Sequence, residues 1–415
     1  MKDRNELRGK RMENIRKVWD QKGSKTAILQ MLRVLGPLSR IELTELTDLS
    51  RATISVTINE LIELGLVRET ELRQSNRGRP ATNLELVPHS HIILGADLNQ
   101  QNWILGAFDL LGNTVEKKQI SFSPLTPEAA VQALANEIPN FIEKIKKSPI
   151  PLLGIGIPGI VDTHNGILLS SAVLGWQQVN LGAMLEEAIG WPTAVLNRSR
   201  ARGLSECRYG AGKDYRHMIY IGIDTGIGAG IYVNRELIHG ALGGAGEIGH
   251  TTVALDGPLC PCGNNGCLQM MSAAHAMELE ARRLLRMGEI SSLLLQPGFD
   301  LQMLNAEDIC RAAEQGDELA VQVVTGAATY LGVTMANVIN LLNPEAIILG
   351  GTIPKDSPLY VQTAMKVMRQ RAMGQLSASI VVQVGQFKEI GGALGAANMA
   401  LDRHLSFTHF STQLS

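Results

Sequence analysis

The 415-residue sequence contains only five cysteines and has no long uninterrupted apolar run. Its first residues are charged, unlike the apolar core of a secretory signal, and no stretch approaches the roughly 18 consecutive apolar residues of a membrane span. We therefore expect a soluble, cytoplasmic protein without membrane insertion. The net charge of −2 does not by itself exclude any class of partner.

The distribution of charge and the composition are more informative. Residues 1–90 carry 16 Lys and Arg against 12 Asp and Glu, whereas the rest carries 22 against 28. A basic segment followed by an acidic body is expected when only the first part contacts a polyanion. The length favours two or three domains, and 45% hydrophobic residues with 42 glycines fit an α/β core with many tight turns.

Three short helices are predicted after residue 23. The first carries an apolar face and ends at Gly36-Pro37, and Ser39 with Glu42 forms a capping-box pattern at the start of the second. The apolar face of the first helix comprises Ile28, Leu29, Leu32 and Leu35.

The third helix has the pattern of a DNA-recognition helix. Ser50 is its expected N-cap, and small hydroxyls and an arginine occupy its exposed first turns. The predicted inward residues are Ile54, Ile58, Leu61 and Leu64, and the outward ones are Arg51, Thr53, Ser55, Thr57 and Asn59. We assign Arg51, Thr53 and Ser55 to the major groove. The alternative is a three-helix protein-interaction module with a solvated face.

A cationic hairpin follows the helices. A strand begins near Leu66, the chain turns through "SNRGRP", and a second strand returns as "TNLELV". Arg77 and Arg79 at the tip can enter a narrow minor groove. A charged tip could also be merely solvated. Because it follows these three helices, it indicates a winged helix-turn-helix over residues 1–88. The first two dozen residues are expected to form a basic helix or arm.

A second motif concentrates soft metal ligands. "HTTVALDGPLCPCGNNGC" contains His250, Cys260, Cys262 and Cys267 within 18 positions. Four such ligands complete a tetrahedral zinc site, and a site without an open position is structural, since it cannot activate water. The alternative is three buried thiols near an unrelated histidine.

From about residue 90 the chain resembles the ROK family of bacterial sugar kinases and sugar-responsive repressors. The resemblance is carried by "GIGIPGIVD", "GIDTGIGAGIYVNRELIHGALGGAGEIGH", "CPCGNNGCL" and "NLLNPEAIILGG". It implies an α/β, two-lobed, actin-like sugar-kinase fold behind the winged helix-turn-helix. We expect the first lobe to comprise residues 89–197 and 386–415, including a returning C-terminal helix, and the second lobe, with the zinc site, to comprise residues 198–385.

The resemblance also implies site residues. It places one structural zinc beside a sugar pocket and assigns ligand contacts to Gly159, Asn197, Glu247 and His250, and to a glutamate whose place is taken here by Gln269. The Glu247 carboxylate can accept hydrogen bonds from two vicinal hydroxyls. It could equally support the zinc ligand His250, and the two roles are compatible.

Three departures argue against phosphoryl transfer. Arg198 stands where the kinases carry the aspartate base, and a guanidinium cannot act as a base. In the first phosphate loop, Asn99 and Gln100 replace glycines, and in the second loop, which keeps Gly226, Gly228 and Gly230, Asp224 stands where a glycine is usual. We therefore expect a regulator without enzymatic activity.

Alternatives remain for function and ligand. The main hypothesis is a sugar-sensing repressor; the others are an active sugar kinase with an accessory DNA-binding domain and an aporepressor relieved by a protein partner. If Arg198 enters the pocket, it favours an anionic sugar; otherwise it pairs with an acidic neighbour. Tight operator binding by such small modules needs two half-sites, so we expect a homodimer or larger oligomer on a near-palindromic operator.

Overall fold

The computed structural model describes residues 23–404, except 48, 74–80, 100–101 and 296–298. Contacts divide the described chain into two compact units. The first contains the residues up to 156, residues 180–196 and those from 396 onward, and the second contains residues 157–179 and 197–395. The domain boundaries expected from the sequence are not tested by this division and remain a prediction.

Three helices open the first unit, and a small sheet accompanies them. The elements are α1 (Ser24–Leu35), β1 (Leu38–Ser39), α2 (Arg40–Thr47), α3 (Arg51–Glu63), β2 (Val67–Arg73) and β3 (Ala81–Leu86). The sheet has the order β1-β3-β2, and β2 pairs with β3 in antiparallel register. This is the predicted winged helix-turn-helix.

Local hydrogen bonds explain where two of these helices begin. The Ser39 amide donates to Glu42 Oε2 at 2.9 Å, and the Glu42 amide donates to Ser39 Oγ at 3.2 Å. Ser50 Oγ accepts from the Thr53 amide at 3.1 Å at the start of α3. Both predicted caps are confirmed, and each satisfies amides that the helix leaves without a backbone partner.

The buried face of α3 differs from the prediction at Thr57, and Leu64, predicted to face inward, is half-buried just after the end of the helix. Ile54, Ile58 and Leu61 are fully buried, as expected. Thr57 was predicted to face outward, and that was wrong: it is buried, and its hydroxyl donates to Ser24 Oγ of α1 at 3.5 Å. It follows Ile54 by three residues and so lies on the same helical face.

The remaining elements alternate between strands and helices, as in the predicted α/β body. The strands are β4 (Ile92–Asn99), β5 (Asn102–Asp109), β6 (Thr114–Ser121), β7 (Pro149–Ile157), β8 (Ile160–Asp162), β9 (Ile167–Ser171), β10 (Trp176–Val179), β11 (Thr193–Asn197), β12 (Met218–Ile223), β13 (Ile227–Val233), β14 (Glu236–Leu237), β15 (Ala346–Gly350) and β16 (Val381–Val384). The helices are α4 (Pro127–Ile145), α5 (Leu181–Ile189), α6 (Arg198–Tyr209), α7 (Leu268–Ser272), α8 (Ala274–Arg286), α9 (Ala306–Glu314), α10 (Glu318–Leu342), α11 (Thr352–Asp356), α12 (Pro358–Arg371), α13 (Gly374–Ser379) and α14 (Ile390–His404).

The larger sheet of the first unit has the order β11-β7-β4-β5-β6. Strands β4, β5 and β6 form an antiparallel meander, and β7 runs parallel to β4. The C-terminal helix α14 lies on β7, where a Cβ added at Gly154 would stand 1.9 Å from the Ala396 carbonyl oxygen. The predicted C-terminal return to this part of the chain is therefore present.

The second unit contains a small antiparallel sheet, β10-β9-β8, and a five-stranded sheet in the order β14-β13-β12-β15-β16. The three short strands of the small sheet were not predicted. In the larger sheet, β12 is antiparallel to β13 and parallel to β15.

One helix of the second unit, α10, is long and apolar enough by length and composition to cross a membrane. However, 61% of its most apolar stretch is buried within the protein. Its inner face joins the apolar core of this unit, which is the burial expected of a core helix.

Candidate ligand site and metal centre

Asn197 lies where β11 meets α6, and its side chain organises this junction. Its Oδ1 accepts from the amides of Ser199 at 2.9 Å and Arg200 at 3.2 Å, so it caps the helix. Its Nδ2 donates to the Gly159 carbonyl oxygen at 2.8 Å. The structure thus brings together two predicted ligand-binding residues, and both hold backbone in place.

Arg202 of α6 and the backbone amide of Thr352, the first residue of α11, hold the Asp224 carboxylate. Arg202 Nη1 donates to Asp224 Oδ2 at 2.6 Å, and the Thr352 amide donates to Oδ1 at 2.9 Å. Burial opposes the charge on Asp224, but Arg202, Arg198 and the Thr352 hydrogen bond outweigh it and lower the pKa of this carboxyl group. Arg198 therefore lies close to Asp224, which supports the alternative that it pairs with an acidic neighbour.

The glycine-rich stretch that begins β13 is shaped by close packing against α6. A Cβ added at Gly228 would stand 2.6 Å from Ser199 Oγ, and one at Gly230 would stand 2.9 Å from the Tyr232 ring. The Tyr232 hydroxyl donates to the Arg200 carbonyl oxygen. These glycines have a packing role that is independent of any phosphate.

Glu247 precedes the short 3-10 helix Ile248–His250 and is partly exposed. Burial raises the pKa of its carboxyl group, and the nearby Arg200 charge acts in the opposite direction. None of the described residues forms a hydrogen bond or a direct salt bridge with this carboxylate. It is therefore available to a ligand, and no hydrogen bond to His250 supports the alternative role.

The four predicted metal ligands converge in space. Their ligand atoms all lie within 4.8 Å of one another. The Cys260 Sγ to His250 Nδ1 distance is 3.6 Å, and Cys262 Sγ to Cys267 Sγ is 3.7 Å. A regular zinc tetrahedron has edges of about 3.6 Å between sulfur and nitrogen and about 3.8 Å between sulfurs, calculated from the usual bond lengths. These residues are thus grouped closely enough to bind a metal, with spacings that fit zinc.

Tight backbone turns hold this cluster. The Cys260 amide donates to the Asn264 carbonyl oxygen at 2.8 Å, and the Gly263 amide donates to the Cys260 carbonyl oxygen at 2.9 Å. Gly266 has a positive φ of 62°, and a Cβ there would stand 1.6 Å from the Ala254 carbonyl oxygen. Only glycine fits this position. The backbone turn that it allows therefore determines where Cys267 lies relative to Cys260 and Cys262.

Gln269 lies beside the same cluster. Its Nε2 donates to Cys260 Sγ at 3.2 Å. An ionised glutamate could not donate to a thiolate, whereas the glutamine amide can. The residue at the position that the family resemblance assigned to a sugar contact is therefore placed against one of the predicted metal ligands.

Comparison with known proteins identifies the family. The ROK family model matches residues 93–403. The chain belongs to the ROK family. It is 31% identical to the DNA-binding transcriptional repressor Mlc of Escherichia coli strain K12, covering 89% of this chain and 91% of that protein. It is 28% identical to the xylose repressor of Bacillus subtilis strain 168, covering 93% and 96%.

Solved ROK structures show the same relationship. A ROK transcriptional regulator homologous to E. coli Mlc matches with a TM-score of 0.80 at 27% identity, covering 94% of this chain and 98% of that one. A ROK glucokinase from Streptomyces griseus matches with a TM-score of 0.68 at 27% identity and covers 74% of this chain. The chain is a transcriptional regulator with the ROK sugar-kinase-like fold.

The predicted DNA-contacting residues of this ROK regulator fall into two groups. Arg51, Thr53 and Ser55 are exposed on the first turns of α3. Arg77 and Arg79 lie outside the described residues, as does Gln100 of the first phosphate loop.

Sequence reasoning missed the main roles of two arginines. No role was assigned to Arg200 and Arg202 from the sequence, but they are 0% and 8% exposed and contact the Ala245 carbonyl oxygen and Asp224, respectively. The sequence signal was available: arginines alternate with small residues over 198–203, at the start of a helix that directly follows a buried strand.

Proposed function

We propose that this chain is a DNA-binding repressor of carbohydrate-metabolism genes, whose kinase-like body binds a sugar or sugar derivative without phosphorylating it. The observation that carries the proposal is the junction at the start of α6. Arg198 occupies the place of the catalytic base, while Arg202 and the Thr352 amide hold the Asp224 carboxylate on the phosphate side. The relatives named as sugar-responsive repressors support the same conclusion.

Phosphoryl transfer fails on chemical grounds at this junction. Loss of a general base alone removes about 10² to 10⁴ in rate. The Asp224 carboxylate accepts from the Arg202 guanidinium and the Thr352 amide, and its negative charge repels phosphate. Both effects act against ATP-dependent turnover.

The proposed ligand contacts are Gly159, Asn197, Arg198, Glu247 and His250. The free Glu247 carboxylate is the most direct support, because it is an accessible acceptor for sugar hydroxyls. We propose that His250 Nδ1, which lies near Cys260, binds zinc together with Cys260, Cys262 and Cys267. The zinc would be structural, because the four protein ligands complete its coordination.

For DNA, we propose that Arg51, Thr53 and Ser55 contact base edges in the major groove, and that Arg77 and Arg79 contact the minor groove. The exposure of the first turns of α3 supports this assignment. A cytoplasmic homodimer or larger oligomer would place two such helices on a near-palindromic operator.

Two assays on the full-length protein test this function. Selection from random duplex DNA should yield a preferred near-palindromic sequence, and coupled ATP-consumption assays with hexoses and N-acetylhexosamines should show no sugar-dependent turnover. Sugar-dependent turnover would identify an active kinase with an accessory DNA-binding domain. A preferred DNA site whose affinity responds to no sugar would instead indicate relief by a protein partner.

A further inference from the structure

Arg200 is a fully buried cation that is bonded to two segments of the proposed ligand site. Arg200 is 0% exposed, and its backbone amide, in the first turn of α6, donates to Asn197 Oδ1. Its Nη2 donates to the Ala245 carbonyl oxygen at 2.6 Å, in the loop that also carries Glu247. The guanidinium is therefore fixed between two elements that supply predicted ligand contacts.

The other guanidinium nitrogens are not satisfied by the protein. Among the described residues, Nε and Nη1 of Arg200 are buried and have no hydrogen-bond partner. Buried polar groups are nearly always hydrogen-bonded, and leaving charged donors unsatisfied is strongly unfavourable. Two such donors on one fixed side chain indicate a ligand that supplies acceptors.

The Glu247 carboxylate is the acidic group whose charge acts most strongly on the pKa of Arg200. It is close enough for each group to affect the pKa of the other: burial lowers the pKa of Arg200, and Glu247 opposes this effect. The described side chains of Arg200 and Glu247 nevertheless form no direct salt bridge. The Arg200 donors and the Glu247 acceptor are therefore not bonded to each other, while their opposite charges compensate.

This arrangement discriminates between ligand classes. A sugar hydroxyl can accept a hydrogen bond from Arg200 and donate one to Glu247, because each hydroxyl is both donor and acceptor. A phosphate or carboxylate would gain from Arg200 but would be repelled by Glu247. Moreover, Nε and Nη1 lie on different edges of the guanidinium, so one bidentate anion that pairs with Nη2 and either of them would leave the other without an acceptor. Two separate hydroxyl oxygens satisfy both nitrogens.

We propose that Arg200 is a ligand-binding residue that acts with Glu247 to select an uncharged polyol, whose hydroxyl oxygens accept from Nε and Nη1. This inference rests on the proposed sugar-sensing function and adds the ligand class to it. It also adds Arg200 to the proposed ligand contacts.

Calorimetric titration of the full-length protein tests the proposal. The probes are D-xylose, D-glucose and N-acetylglucosamine, with the 6-phosphates of the last two as anionic counterparts. We expect one neutral sugar to bind the wild type at least about tenfold more tightly than its phosphate. Arg200→Met should weaken that sugar about 10- to 100-fold, because charge-assisted hydrogen bonds are lost, and Arg200→Lys should give a smaller loss.

The matched control is Arg282→Met in the same unit. Arg282 also donates to backbone carbonyl oxygens, including that of Leu301 at 3.0 Å, but lies on α8 away from the predicted ligand contacts. It should leave sugar affinity unchanged, and thermal unfolding should show that each variant is folded. If Arg200→Met does not fold, the Arg200→Lys titration decides.

The outcomes separate this inference from the proposed function. Unchanged affinity of a bound sugar in the folded Arg200 variants, or tighter binding of the phosphate, overturns the role of Arg200 and leaves sugar sensing intact. Failure of every probe to bind the wild type contradicts both proposals.

Discussion

The DNA-binding module is joined to the C-terminal helix by a buried arginine, and removing that arginine gives a quantitative test. Arg33 of α1 donates from Nη1 to Asn398 Oδ1 at 2.7 Å and forms a salt bridge with Asp402, both on α14. The side chain of Arg33 is 2% exposed and that of Asp402 is 28% exposed. The pair is therefore far less hydrated than an ordinary surface salt bridge.

The expected magnitude follows from this partial burial. Breaking a fully buried pair costs about 3–5 kcal/mol, but Asp402 can regain part of its hydration. We therefore expect Arg33→Met, which keeps the aliphatic bulk, to lower the free energy of unfolding by about 1–3 kcal/mol. Combined with Asp402→Asn in a double-mutant cycle, the coupling energy should be about 1–2 kcal/mol.

Urea unfolding followed by tryptophan fluorescence measures this effect, since Trp103 is fully buried in the same unit. The control is the exposed Lys25–Glu60 salt bridge, with side chains 30% and 43% exposed, whose coupling should stay below about 0.5 kcal/mol. Equal coupling energies for the two pairs would refute the reasoning from burial.

Three further predictions concern the metal ligand Cys260, the Asp224 carboxylate and the two arginines at the hairpin tip. Cys260→Ser should lower the zinc content of freshly purified protein from about one per chain to a small fraction, as measured by mass spectrometry; undiminished zinc would exclude Cys260 as a ligand. Asp224→Gly should produce no sugar-dependent ATP turnover, because Arg198 still cannot act as a base; turnover in a coupled assay would show that the base was assigned wrongly. Arg77→Ala with Arg79→Ala should weaken DNA binding and reduce its salt dependence by about one to two units of slope, while a slope equal to that of the wild type would contradict wing contacts.

The sequence predicted most of the fold because its local signals agree with the tertiary structure. The caps at Ser39 and Ser50 depend on neighbours in the chain, which the sequence displays directly. Thr57 was placed on the wrong face because a polar side chain was assumed to point outward, whereas its spacing from Ile54 places it inward.

The site was predicted less completely, since its chemistry depends on contacts between distant segments. The four predicted metal ligands fall within 18 residues, so one short motif shows both their number and their chemical type. By contrast, Asp224 meets the Thr352 amide across 128 positions, and Arg200 meets Ala245 across 45. No local pattern shows that Arg200 retains unsatisfied donors while Arg202 is engaged by Asp224.

The most direct test of the account is the affinity of the full-length protein for its selected DNA site, measured by fluorescence anisotropy with and without saturating sugar. We predict that a neutral sugar changes the dissociation constant for DNA at least about tenfold, corresponding to a coupling free energy of about 1.4 kcal/mol. The same sugar should not be consumed in the presence of ATP. An unchanged DNA affinity, together with ATP-dependent phosphorylation of the sugar, would contradict the central claim.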